Sequence, residues 1–229
     1  MAENTSNTPF DDAYRTLSAK GTRLMIPLIN YMFRRHYPMN TPITLLDNET
    51  EEDNSNIITN SKFMLGNGDL YNIFIVGEQT KLNKDVPYIL YDYMLRYTLS
   101  HLSEMYKTGT IILPTVGVLN LYGNYNDIKT MKLLHTNAGI NVTVSDLNLE
   151  EFPQLKDLVG FELYCLMPYH ILLMEDRLKK VDNVIAKQLS IEKFNECITL
   201  LKKANENGDI SDNEELLIIH ILHQILTQR

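Results

Sequence analysis

The sequence predicts an α/β fold in which helices flank a mixed β-sheet. Three observations support this prediction. A β-hairpin pattern spans residues 56–76, a long helical pattern follows over 85–107, and the chain becomes helical in character after Val144. Between them lie a further strand and a strand pair. This order of elements is typical of a sheet that is covered by helices.

The chain begins with a polar stretch and two predicted helices. Residues 1–10 are rich in Asn and Thr, and we expect them to be disordered. Asp11 and Asp12 are suited to cap a first helix, which Gly21 can end. A second helix is predicted over 23–36, because its apolar residues recur at helical spacing.

The clearest local signal is the hairpin, which follows a short predicted strand at Ile43–Leu46. Its strands are predicted over 56–65 and 70–76, with Gly-Asn-Gly-Asp at 66–69 as the turn. Residues 73–76 are continuously apolar, as expected of a strand that is covered on both faces.

The rest of the chain is predicted as one helix, three strands and a helical C-terminal part. Ser211 and Glu214 have the spacing of a capping box, which marks the start of the last helix. The predicted elements are a helix over 85–107, strands over 110–121, 130–135 and 140–144, and helices over 157–181 (broken near Pro168), 190–205 and 212–227.

The composition is acidic, with 29 Asp and Glu against 21 Lys and Arg and a net charge of -8. This balance argues against a protein that coats nucleic acid, although it leaves room for a local basic cleft. Cys165 and Cys197 lack a metal-binding pattern, so we expect buried thiols in a reducing compartment. With no signal peptide or long apolar run in view, we expect a cytoplasmic protein that does not enter a membrane.

Six short motifs follow one another along the first 180 residues. They are DDAYRTL at 11–17, LMIPLIN at 24–30, IITNS at 57–61, VGEQT at 76–80, LPTVGVLNL at 113–121 and LMPY at 166–169. In this order they resemble the transposase group of the PD-(D/E)XK nuclease family, which is related to the recombination-promoting nucleases. The resemblance implies a restriction-endonuclease-like domain over 11–180, followed by a helical C-terminal extension over 181–229.

The resemblance also implies a divalent-metal nuclease, but two of its acids are missing. The family's Asp lies on the first hairpin strand, and its Glu and a Lys or Gln two residues later lie on the second. Asn60 stands at the Asp position and Gly77 at the Glu position, while Gln79 keeps the third. An amide adds no negative charge and glycine has no side chain, so these catalytic positions are degenerate.

Two acids remain as alternative metal ligands. Glu78 is one residue out of register, so a regular strand turns it to the face opposite Gly77. It is then a polar residue at a strand end, unless a bulge at Gly77 returns it to the site. Asp11 matches an acid at the start of the family's first helix, but we favour its interpretation as a helix cap.

The leading functional prediction is a catalytically degenerate nuclease-family protein that binds another protein, a copy of itself or nucleic acid, with no cofactor. The alternative in the enzyme class is an active DNA endonuclease that uses Mg²⁺ or Mn²⁺ held by Asp11 and Glu78. The third possibility is an oligomeric interaction protein. Residues 212–228 carry apolar side chains on more than one helix face, so we expect the C-terminal helices to contact a partner.

Overall fold

A five-stranded mixed β-sheet carries helices on both faces, which confirms the predicted α/β class. The computed structural model describes residues 9–46, 59–67, 70–79, 85–121, 130–135, 138–174 and 178–227. The predicted disorder of residues 1–10 and the predicted hairpin turn therefore lie largely outside the described residues.

The main sheet has the strand order β1-β2-β3-β4-β7. Its strands are β1 (Ile43–Leu46), β2 (Thr59–Asn67), β3 (Leu70–Gln79), β4 (Thr115–Asn120) and β7 (Ser145–Asn148). The first three strands pair antiparallel, whereas β3 with β4 and β4 with β7 pair parallel. Strands β5 (Thr130–His135) and β6 (Ala138–Thr143) form a separate antiparallel pair.

Seven α-helices and three 3₁₀ helices occupy the described part of the chain. They are α1 (Pro9–Lys20), α2 (Met25–Phe33), α3 (Val86–Ser100), α4 (Leu102–Thr108), α5 (Leu155–Gly160), α6 (Asn183–Glu206) and α7 (Asp212–Thr227), with 3₁₀ helices at Thr22–Leu24, Leu149–Glu151 and Tyr164–Met174. Among these described helices, none has the length and apolar character needed to cross a bilayer.

The larger hydrophobic core lies on one face of the sheet, beneath α1, α2, α7 and the 3₁₀ helix Tyr164–Met174. Gly117 of β4 lets α2 approach this face closely. A Cβ at Gly117 would lie 2.5 Å from the sulfur of Met32 and 2.8 Å from a ring carbon of Phe33. Because such contacts are too short, only glycine permits this packing.

The smaller core lies on the other face, between the sheet and α3. Ile75, Val116 and Val118 of the sheet pack there against buried side chains of α3. Tyr91 of α3 also holds the two-stranded sheet in place. Its hydroxyl donates to the carbonyl of Val142 over 2.9 Å and accepts from the amide of Met131 over 3.1 Å.

Helix α7 belongs to the same core as α1. The side chains of Ile218, Ile221, Leu222 and Ile225 are buried in the larger core. Arg23 forms a two-point ion pair with Glu214, with an Nε–Oε1 distance of 2.8 Å. The predicted capping box is present, because the Ser211 amide donates to Glu214 over 2.8 Å and the Glu214 amide donates to the Ser211 hydroxyl over 3.4 Å.

The structure corrects the predicted start of the penultimate helix. Helix α6 begins at Asn183, not near Ser190, because Asp182 caps it by accepting from the amides of Val184 and Ile185, each over 2.9 Å. Ser190 lies inside the helix, where its hydroxyl donates to the carbonyl of Ala186.

Other elements also differ from the prediction: α1 begins at Pro9, so Asp11 and Asp12 lie within its first turn, and β4 begins at Thr115 rather than at 110. The helix over 85–107 breaks at His101, where the backbone leaves helical geometry with a φ of -100° and a ψ of 7°. The helix over 157–181 is replaced by α5 and the long 3₁₀ helix. Strand β7 was not predicted, because its polar residues give no apolar strand pattern.

Candidate functional site

The candidate site lies at the end of β3, beside β2 and β4. Asn60 and Gly77 are directly opposite each other in the β2–β3 ladder, and Gly77 pairs with Val118 on the other side. The ladder continues to Glu78, opposite Thr59, with no extra residue on either strand. Because there is no bulge, Glu78 lies on the face opposite Gly77 and Gln79.

A row of buried amides crosses three strands on the Gly77 face. Gln79, Asn120 and Asn148 are neighbours in the pairing of β3, β4 and β7, and each is less than 5% exposed. The Nε2 atom of Gln79 donates to Oδ1 of Asn120, and the Nδ2 atom of Asn120 donates to Oδ1 of Asn148 over 2.8 Å. We call these three residues the amide row.

The amide row ends at two acids. The Nδ2 atom of Asn148 donates to Asp146 over 3.2 Å and to Glu151 over 3.0 Å. Burial raises the pKa of Asp146, the hydrogen bond from Asn148 opposes this effect, and the charge of Glu151 adds to it. The two acids therefore anchor the row at β7, two strands away from Gly77.

The residues at the predicted catalytic position do not fit a divalent metal ion. Mg²⁺ requires hard oxygen ligands that include one or two carboxylates. Gly77 has no side chain, and Gln79, whose Nε2 atom donates to Asn120, offers only a neutral amide oxygen. Among the described residues, no group of three or more His, Cys, Asp and Glu side chains could hold a metal ion.

The opposite face of β3 holds a second polar cluster against α1. It comprises Asp11, Tyr14, Ser61, Glu78 and Tyr169, and we call it the acid cluster. Tyr14 donates to the carbonyl of Val76 over 3.4 Å. Burial raises the pKa of Tyr14, a hydrogen bond with Ser61 lowers it, and the charge of Glu78 raises it further.

Glu78 is the most unusual member of the acid cluster. Its side chain is 1% exposed, and neither carboxyl oxygen makes a hydrogen bond of standard geometry to a described residue. Burial raises the pKa of Glu78 well above its ordinary value, the negative charge of Asp11 adds to this, and Arg15 opposes it. Such an environment favours the neutral carboxylic acid or a compensating cation.

The predicted site residues thus fall into two groups on opposite faces of one strand. Asn60, Gly77 and Gln79 occupy one face, and Glu78 meets Asp11 on the other. Sequence reasoning missed Asn120 and Asn148, which complete the amide row. The signal for Asn120 was a lone amide within the apolar run of β4, but no local pattern marked Asn148.

Comparison of the chain with protein-family models, with curated proteins and with solved structures gives no match. The resemblance to the PD-(D/E)XK transposase group therefore rests on the six sequence motifs and stays a prediction.

Proposed function

We propose that the chain is a degenerate PD-(D/E)XK nuclease-like protein of the cytoplasm that acts by binding a partner and does not cut DNA. The proposal includes a restriction-endonuclease-like arrangement of the sheet, with α6 and α7 as the C-terminal extension. The single observation that carries it is the pairing of Asn60 with Gly77, because the place where the family's two acids would converge carries no carboxylate.

The position that a nuclease would need for its metal ion lacks negative charge. Phosphodiester hydrolysis by this class of site requires a metal ion that polarises the phosphoryl oxygen and lowers the pKa of bound water. The ion is held by carboxylates that converge from neighbouring strands. Here the position on β3 that would carry the family's Glu is Gly77. The nearby Gln79 donates a hydrogen bond from its side-chain amide to Asn120. The row is suited to fix β3, β4 and β7 in register.

A second candidate is a metal-dependent nuclease that uses the acid cluster. The observation that favours it is the buried Glu78 carboxyl beside Asp11. These two carboxylates would hold the metal ion, which supplies Lewis-acid activation of water and phosphate. Two carboxylates with water ligands are enough for Mg²⁺.

A cleavage assay distinguishes the two candidates. Supercoiled plasmid is incubated with the full chain and Mg²⁺ or Mn²⁺, and the parent is compared with Glu78→Gln and Asp11→Asn. The binding proposal predicts no cleavage by any of the three proteins. Cleavage by the parent that both substitutions abolish would refute it and support the acid cluster as a catalytic site.

A further inference from the structure

A groove of about 690 Å³ lies between α6, the end of α7 and the 3₁₀ helix Tyr164–Met174. Its floor and walls are mainly apolar and include Ile171, Ile191, Phe194 and Leu226. We call it the α6 groove. It lies away from the end of β3 and shares no residue with the amide row or the acid cluster.

The groove exists because α6 is longer than its neighbour. Helix α6 has 24 residues and α7 has 16, so α6 is 8 residues longer, or about 12 Å. The two helices are adjacent at the turn that connects them, where Asn205 at the end of α6 donates to Asp212 at the start of α7 over 2.8 Å. From there α7 runs back along α6 as far as the groove, where His223 and Leu226 form one end.

The part of α6 that extends past α7 presents a complete helix face. Its groove-lining residues are at positions 183, 186, 187, 190, 191 and 194. Positions three and four apart lie on one side of a helix, so this set covers three turns of a single face. Ile191 on this face is 44% exposed. This is the surface that a neighbouring helix covers in a helix pair.

The charges around the groove are positive. Lys179 and Lys187 line it, and none of the lining residues that the structure describes is Asp or Glu. Helix α6 carries four Lys and three Glu, whereas the whole chain has a net charge of -8. A partner with acidic side chains beside its apolar face therefore complements the groove. The concave shape favours a helix over a flat membrane surface.

We propose that the α6 groove binds an amphipathic helix of a partner protein, with apolar residues at i, i+3, i+4 and i+7 and acidic residues on its flanks. The bound helix lies against the first three turns of α6, beyond the end of α7. This inference rests on the proposed binding function and names the class of partner.

The test uses two synthetic peptides of about 18 residues, or five helical turns. One has Leu at i, i+3, i+4 and i+7 with Ala and Glu elsewhere, and its twin has Lys in place of every Glu. Binding to the full chain is measured by fluorescence anisotropy. We expect the Glu peptide to bind at least about tenfold more tightly than the Lys peptide, with a preference that weakens as salt is added.

Three exposed-site variants locate the binding surface. Ile191→Asp should weaken binding of the Glu peptide about tenfold or more, because it places a charge on the groove face. Lys187→Glu should weaken it about fivefold and reduce the preference over the Lys peptide. Leu216→Asp is the control, because Leu216 is 64% exposed on α7 and does not line the groove. It should leave binding within about twofold.

Several outcomes would overturn the proposal. They are saturable binding of neither peptide, equal binding of both, or an equal loss in Ile191→Asp and Leu216→Asp. Two others would reassign the groove. Binding to anionic phospholipid vesicles alone, lost in Ile191→Asp, would point to a membrane surface, and self-association lost in that variant would point to a second copy. None of these peptide-binding outcomes predicts whether the chain cuts plasmid DNA. The proposed absence of catalysis is therefore tested separately, by the cleavage assay.

Discussion

Two neighbouring residues of β3 meet opposite physical conditions. Gln79 belongs to the amide row, where Asn120 of the adjacent strand β4 accepts a hydrogen bond from its amide. Glu78 faces the acid cluster, where its carboxyl is buried beside Asp11 without a hydrogen bond of standard geometry to the described residues. The comparison shows that burial alone does not identify a functional polar residue, since a hydrogen-bonded amide and a carboxyl beside a second acid are equally hidden.

The largest expected effect comes from breaking the amide row at its centre. Asn120→Leu removes hydrogen bonds to Gln79 and Asn148 in a fully buried position. We expect a loss of about 2–5 kcal/mol in the free energy of unfolding, measured by urea denaturation. The matched control is Asn141→Leu on β6, whose side chain is exposed, and it should change stability by less than about 0.5 kcal/mol. Equal stability of Asn120→Leu and the parent would show that the row is not a structural element.

A smaller effect is expected when a charge is placed in the row. Gln79→Glu removes the amide that donates to Asn120 and buries a carboxyl. We expect a loss of about 1–3 kcal/mol near neutral pH. The loss should shrink in acid, where the carboxyl is protonated. Thermal unfolding at several pH values measures this, and a pH-independent loss would contradict the electrostatic explanation.

The reciprocal change at the neighbouring residue should act in the opposite direction. The pKa of Glu78 is raised above its ordinary 4.5 in the folded chain. Below pH 4.5 the carboxyl is therefore protonated in both the folded and the unfolded chain, and its burial does not reduce the free energy of unfolding. As the pH rises through the pKa that Glu78 has in the folded chain, the parent becomes less stable, whereas the Glu78→Gln variant does not. The melting temperature of Glu78→Gln minus that of the parent should therefore increase with pH. A difference that is constant or falls with pH would show that Glu78 ionises freely in the fold.

The parts of the fold that could be predicted are those with local signals. The hairpin strands carry apolar runs around a Gly-Asn-Gly-Asp turn, and the Ser211–Glu214 capping box lies within four residues. Strand β7 was missed because Asp146 and Asn148 are polar, and the buried Asn148 is stabilised by a hydrogen bond from Asn120, 28 residues away in the chain. Local sequence patterns cannot reveal a hydrogen bond that tertiary pairing supplies.

The site was predictable to the extent that strand geometry fixes it. Alternation along β3 was enough to separate Glu78 from Gly77 and Gln79. The meeting of Glu78 with Asp11 depends on how α1 packs across the sheet, and these residues lie far apart in the chain. The α6 groove was also beyond sequence reasoning, since the predicted start near Ser190 omitted the turn of α6 that Asp182 caps.

Calorimetric titration of the full chain with Mn²⁺ tests the central claim that the end of β3 is a structural row and not a metal site. The account predicts no micromolar site in the parent, and titrations of Glu78→Gln and Gln79→Ala that match it. A micromolar site lost in Glu78→Gln but kept in Gln79→Ala would contradict the account, because it would assign metal binding to the acid cluster. A site lost in Gln79→Ala would contradict it at the amide row itself.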